Sequence, residues 1–194
     1  MSTVLAAVVG YLLGSVPFAV LAARLRGRDV LREGSGNPGA TNTLRVLGPG
    51  WAAAVLVGDA LKAVLAAYLG YHLAGPLASA VAGSFAALGH AYSIFLRGRG
   101  GKVVAVSLGL LAFWDWQVMA IAVAMFLVVV AITRIVALGS LLGALAAAVA
   151  ASILPLPTAL RVAVYFLFAL IVWRHRPNIA RIARGQEHRL GQHG

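Results

Sequence analysis

Apolar residues fill the chain in long blocks, 4–23, 51–71, 77–96, 103–133, 135–154 and 159–173, with short polar stretches between them. A helix needs about 20 apolar residues to cross the hydrocarbon core of a bilayer, so each block except the long one predicts one span. The block 103–133 would make a helix of about 46 Å against a core of about 30 Å. Trp114-Asp115-Trp116 stands near its middle, a polar residue between two interfacial aromatics, and predicts a turn there. Seven spans follow, two of them short. The first block has no basic stretch before it and no small-residue cleavage site at its end, so it is read as a retained first transmembrane helix.

Cationic residues test that count. Arg24, Arg26, Arg28, Arg32 and Arg45 lie in the first loop, and Arg97, Arg99 and Lys102 in the third. Arg134 lies in the fifth loop, and Arg174, Arg176, Arg181, Arg184 and Arg189 in the tail. With seven spans all of these fall on one side, leaving only Lys62 and Arg161 of the 16 Lys and Arg residues. The positive-inside rule makes that side cytoplasmic, which places the N-terminus outside and the C-terminus in the cytoplasm. Six spans would put Arg134 and the tail in the wrong compartment.

Composition agrees with a bilayer rather than a self-contained globular core. Hydrophobic residues are 61% of 194 and the mean hydropathy is +0.92, which predicts an all-α, polytopic integral membrane protein forming a single membrane-embedded domain over 1–194. There is no cysteine, which excludes disulfides, cysteine nucleophiles and Cys-ligated zinc. The net charge of +11 follows from topology and from attraction to anionic lipid. The basic residues are dispersed over short loops with no DNA- or RNA-reading motif, so no nucleic-acid partner is expected.

Three polar islands carry the candidate chemistry. In the first, Gly34 to Arg45, Ser35, Asn37, Thr41 and Asn42 bring compact hydrogen-bonding groups, the glycines allow close backbone approach, and Arg45 brings a guanidinium suited to phosphate. The second, Gly89 to Lys102, is glycine-rich and leads into an apolar helix, an arrangement that holds an anion or serves as a basic membrane anchor. It is not a P-loop, because Walker spacing would require glycine at Leu96 and a hydroxyl residue at Val103. The third, Arg174 to His188, has Pro177 to start a helix and Ile179, Ile182 and Ala183 along a narrow apolar face. His175 and Asn178 stand where the last span meets the cytoplasmic surface. Three islands on one membrane face suggest one site.

The stretch SGNPGATNTLR (Ser35 to Arg45), the Gly89-His90 pair followed by Gly100-Gly101-Lys102, and RHRPNIARIARGQEH (Arg174 to His188) resemble the signature regions of bacterial acyl-phosphate:glycerol-3-phosphate acyltransferases, the PlsY family. Asp59 and Lys62 in the second span also resemble that family. The resemblance implies a seven-helix multi-pass enzyme of the bacterial cytoplasmic (inner) membrane, with its active site at the cytoplasmic face. The enzyme would move a fatty acyl group from acyl phosphate to glycerol 3-phosphate in phospholipid synthesis. It further implies that Ser35, Arg45 and Lys102 hold the acceptor's phosphate, while Asn37, His90, His175 and Asn178 line the glycerol and the reaction centre. Departures gather in the second region: the family usually has proline where Ser93 stands, Phe-Lys where Gly98 and Arg99 stand, glycine at Val103 and threonine at Val106.

Acyl phosphate is an activated mixed anhydride, so positioning and oxyanion stabilisation can supply most of the catalysis. His90 is a candidate base, or else a positioning hydrogen-bonding group, and a substrate phosphate oxygen is a rival proton acceptor. Ser35 has no histidine–carboxylate pair in sequence to make it a nucleophile, and no histidine starts a His-x-x-x-x-Asp arrangement. Asp59 and Lys62, at i and i+3 within a span, read as a pair bracing the polar loops. Dispersed histidines and five carboxylates predict no metal and no other cofactor. The partners expected are glycerol 3-phosphate, acyl phosphate and membrane lipid, with transient contact to a soluble acyl-phosphate-producing enzyme. The competing class is a small organic-anion transporter, which would show broken polar helices at midplane and an inverted repeat.

Overall fold

The computed structural model describes residues 1–191. Among them every regular element is helical: α1 (Ser2–Ser15), α2 (Phe18–Arg24), α3 (Ala40–Leu47), α4 (Pro49–Ala91), α5 (Val104–Trp114), α6 (Trp116–Thr133), α7 (Val136–Ile153), α8 (Thr158–Arg174) and α9 (Arg176–Ala183), with a 3₁₀ turn at Ile94–Leu96. Four helical stretches are long and apolar enough to cross a membrane, and a fifth is obtained if α8 and α9, bent by 59°, count as one span. The chain forms two compact units, Met1–Phe113 and the residues from Trp114 onward.

In the first unit, the block 4–23 is not one straight helix. Proline has no N–H and disfavours helical backbone in the residue before it, and α1 ends at Val16 (φ −59°, ψ 118°) with α2 starting after Pro17. The break frees the Val16 carbonyl, which accepts a hydrogen bond from Lys62 Nζ at 2.7 Å. Helix α4 is two helices in one: Ala74 and Gly75 leave helical backbone, Gly75 at φ 69°, and Pro76 starts the second arm. The arms lie side by side, with Ser79 Oγ donating to Ala67 O at 2.9 Å across the turn. The two apolar blocks 51–71 and 77–96 are therefore separate arms, as predicted.

Small residues set how closely these helices approach. A side chain at Gly10 or Gly14 of α1 would collide with the backbone of Ala82 or Ala86 in the second arm of α4, and one at Gly89 with Tyr11 O. With no hydrophobic drive between helices in lipid, such backbone contact is where packing energy comes from. Under the polar loops lies a dry cluster of Ala19, Val20, Ala22, Ala23, Val30 and Val55, against which Leu31, Val46, Trp51 and Leu96 pack. Leu31 belongs to the first loop and Leu96 to the 3₁₀ turn that opens the third, so one apolar cluster seats both.

In the second unit, Asp115 is the break expected within the block 103–133. It is extended (φ −162°, ψ 109°), and its carboxylate caps α6 by accepting from Gln117 N and Val118 N, both at 2.9 Å. Helices α6 and α7 approach closely at Gly139 and Gly143, opposite Phe126 and Ala122. Ser152 Oγ and Tyr165 OH, 2.9 Å apart, join α7 to α8. Leu190 N donates to Arg134 O at 2.8 Å, which brings the tail to the turn between α6 and α7.

Candidate active site

The first island is built around Asn42, which is buried at the start of α3. Its Oδ1 accepts from Ser35 N at 2.7 Å, and its Nδ2 donates to Val30 O at 2.9 Å and to Glu33 O at 3.0 Å. One amide thus spans the loop and fixes the backbone that carries Ser35. Gly34 is required twice, because it sits at φ 60° and a Cβ there would collide with Asn42 Oδ1. The loop is closed by Glu33: Arg28 Nε donates to Oε2 at 2.7 Å and Asp29 N to Oε1 at 2.8 Å. The hydrogen bond from the Arg28 guanidinium, aided by Asp29 N–H, holds the Glu33 carboxyl below its usual range, and the same carboxylate raises Arg28. Ser35 and Arg45 are exposed and Asn37 half-buried. Arg45 projects from the last turn of α3.

The second island folds back on itself. Gly101 N donates to His90 O at 2.9 Å, and Ser93 N to Arg99 O at 3.1 Å. Ser93 Oγ, buried, donates to Ser15 O at 2.6 Å, and Tyr11 OH donates to Tyr92 O at 2.8 Å. These bonds tie the loop to the end of α1. Lys102 is half-buried at the mouth of α5. Val103 holds left-handed backbone at φ 71°.

His90 is buried with the intramembrane pair. Lys62 Nζ lies 2.7 Å from Asp59 Oδ1 and 3.1 Å from His90 Nδ1. The pair expected only to brace the loops therefore touches a candidate reaction-centre histidine, a link that one sequence cannot show between residues 28 apart.

In the second unit, His175 is the buried residue joining α8 to α9, and its Nδ1 donates to Ile171 O at 2.8 Å. Asn178, also buried, donates through Nδ2 to Glu187 Oε1 at 2.7 Å, while Arg181 Nε donates to Glu187 Oε2 at 2.7 Å. Glu187 was not singled out in the sequence, although it is the sole carboxylate after Asp115. Ser35, Asn37, Arg45, His90 and Lys102 thus belong to the first unit, and His175 and Asn178 to the second.

An apolar groove of about 560 Å³ runs along α1 and the second arm of α4, lined by residues that include Val4, Val8, Tyr11, Phe85 and Ile94. Ile94 belongs to the second polar island, so one end of the groove lies there.

Residues 4–185 match the family model described as glycerol-3-phosphate acyltransferase. The chain belongs to the glycerol-3-phosphate acyltransferase family. A relative of that name from Deinococcus radiodurans (its number 1) is 43% identical over 99% of this chain and 98% of its own length. Another from Symbiobacterium thermophilum is 45% identical over 95% and 93%. Crystal structures of PlsY, described as an integral membrane glycerol 3-phosphate acyltransferase, in its glycerol 3-phosphate and lysophosphatidic acid forms, superpose with TM-scores of 0.94 and 0.93. Each is 33% identical and covers 98% of this chain and 96% of its own. Membership in the acyltransferase family leaves the transporter alternative without support.

Proposed function

We propose that this multi-pass membrane acyltransferase takes the acyl group of an acyl phosphate and joins it to a hydroxyl of glycerol 3-phosphate, giving 1-acyl-glycerol 3-phosphate and inorganic phosphate. The observation that carries this reading is the full-length likeness to PlsY, whose structures include forms with the acceptor and with the lipid product. The chemistry of the islands agrees. An acceptor phosphate needs cations and amide donors, and Ser35, Arg45 and Lys102 offer a hydroxyl, a guanidinium and an ammonium. The acyl chain needs room open to lipid, and the groove along α1 supplies it. Asn37, His90, His175 and Asn178 serve the glycerol and the reacting carbonyl.

The whole chain works as one domain in the cytoplasmic (inner) membrane, with seven spans: α1 with α2, the two arms of α4, α5, α6, α7 and α8. The N-terminus is outside and the polar islands are at the cytoplasmic face. Two within-unit contacts support this sidedness. Leu96 of the second island packs on the same cluster as Leu31 of the first loop, and the tail is bonded to the Arg134 turn. A soluble enzyme that makes acyl phosphate would meet this basic face transiently.

The test uses purified protein, glycerol 3-phosphate and either acyl phosphate or acyl-CoA, with lysophosphatidate and phosphate followed together in buffer containing a chelator. Equimolar lysophosphatidate and phosphate from acyl phosphate alone is expected. Transfer from acyl-CoA only, or turnover that stops in chelator and returns with a divalent ion, would contradict the reading.

A further inference from the structure

Helix α9 has two unlike faces. Residues three and four apart share one side of a helix, and Asn178, Arg181 and Ile182 form the inner side, where Asn178 Nδ2 and Arg181 Nε both donate to the Glu187 carboxylate. The outer side carries Arg176, Ile179, Ala180 and Ala183, all exposed, with Arg184 exposed just beyond it. Ile179 leaves 40% of its surface uncovered, and Trp173, in the last turn of α8, leaves 50%. The Arg176 guanidinium carbon stands 3.3 Å from the centre of the Trp173 ring, and Arg176 Nε donates to Trp173 O at 3.0 Å. Held by the ring and one carbonyl, this guanidinium keeps its two terminal nitrogens for an anion. Glu187, the sole carboxylate after Asp115, is taken by the inner side, and among the described residues neither Arg176 nor Arg184 has an ion pair.

Position decides what such a face meets. With α8 as the last span, Trp173 stands where tryptophan favours the membrane–water boundary. Helix α9 starts at Arg176 and bends away from α8 by 59°, so its outer side reaches the headgroup layer within one turn. We infer that this side docks on anionic phospholipid, with Arg176 and Arg184 on lipid phosphates and Ile179 among the upper acyl carbons, and that the contact steadies Asn178 for acyl transfer. Apolar burial and attraction to anionic lipid act together on an interfacial helix, and a helix of eight residues is too short to hold its shape alone. Lipid outside and the Glu187 carboxylate inside thus fix α9 from both sides, so turnover rises with the anionic charge of the leaflet. A soluble partner fits less well, because Trp173 and Ile179 are exposed at the end of a span, where lipid reaches them first.

Docking is read without substrate, in full-length protein that keeps Trp173 and has Trp51, Trp114 and Trp116 replaced by Phe. In bilayers of phosphatidylcholine and phosphatidylglycerol, Trp173 emission should be quenched more by brominated phosphatidylglycerol than by an equal amount of brominated phosphatidylcholine. The Arg176→Gln, Arg184→Gln double variant, compared with itself in the two lipids, should lose that preference, which is expected to be about fivefold per arginine. The effect on turnover rests on the acyl-transfer reading and is measured separately, as kcat at saturating glycerol 3-phosphate in phosphatidylcholine nanodiscs with and without phosphatidylglycerol. Wild type should turn over severalfold faster with phosphatidylglycerol, while the double variant should run in both at the wild-type rate in phosphatidylcholine. Equal quenching by the two brominated lipids would overturn the docking and leave this face to a soluble partner. A wild-type kcat indifferent to phosphatidylglycerol would overturn the coupling to Asn178. Protein that acylates glycerol 3-phosphate in neither lipid would instead contradict the acyl-transfer reading, and the quenching, which needs no turnover, tells the two failures apart.

Discussion

Val103 is β-branched, fully buried and held at φ 71°, a conformation that costs an L-residue about 1–2 kcal/mol. By resemblance the family usually has glycine here, so the chain keeps a glycine geometry with a side chain that opposes it. Val30 is a fair control, since it is equally buried in a loop without a positive φ. Val103→Gly and Val30→Gly each lose valine burial, but only the first relieves strain. Val103→Gly should therefore be less destabilising by about 1–2 kcal/mol, read from thermal unfolding in detergent; equal losses would mean that position 103 is not strained. Ser93 departs differently. At φ −65° it has the backbone that proline would impose, and it adds the bonds to Arg99 O and Ser15 O that proline cannot make. At this scale the sequence exposed residue types but not partners. Asn42 was visible as a polar residue of the first island, yet its spanning role depends on carbonyls 9 and 12 residues away. Glu187 and the Lys62–His90 contact were hidden for the same reason, because side-chain pairing across elements leaves no periodic trace.

Elements were more legible where a breaker stood alone. The Gly75-Pro76 turn of α4 and the cap at Asp115 each interrupt an apolar run with chemistry that helices use at their ends, and both fall where expected. Pro17 breaks 4–23 as well, but the run is apolar on both sides and was read through as one helix. The loop between α2 and α3 depends on a carboxylate. Glu33 titrates below its usual range because it accepts from Arg28 and Asp29 N, so its ionised form favours the folded loop. That contribution is complete above the ordinary glutamate pKa and is lost as pH falls through the depressed folded value. Trp51 packs on the cluster that seats Leu31, so its emission, in a variant with the other tryptophans replaced by Phe, should report an acid transition in the loop. Glu33→Gln should abolish that transition, and an unchanged acid response in the variant would mean another group controls the loop.

For the whole molecule, the absence of cysteine makes sidedness directly measurable. Single cysteines at Ser2 and Asp115 should react with an impermeant thiol reagent in intact cells, and one at Gln186 only after permeabilisation; labelling of Gln186 in intact cells would refute seven spans. Class and family were readable from the apolar blocks and the islands because both are local in sequence. The grouping of helices into two units was not, since it depends on where small residues allow backbones to touch. We propose that the first two islands hold the phosphate of glycerol 3-phosphate, through Arg45 and Lys102. Losing one charge-assisted contact costs about 1.5–3 kcal/mol, or roughly ten- to a hundredfold in affinity. The direct measurement is acyl transfer across a glycerol 3-phosphate titration for wild type, Arg45→Ala, Lys102→Ala and Arg45→Lys, each checked for a monodisperse elution peak. Both alanine variants should stay folded with KM for glycerol 3-phosphate raised about ten- to a hundredfold, and Arg45→Lys should also be impaired, because an ammonium cannot make the bidentate contact. Folded alanine variants with wild-type kinetics would contradict the assignment and place the phosphate elsewhere.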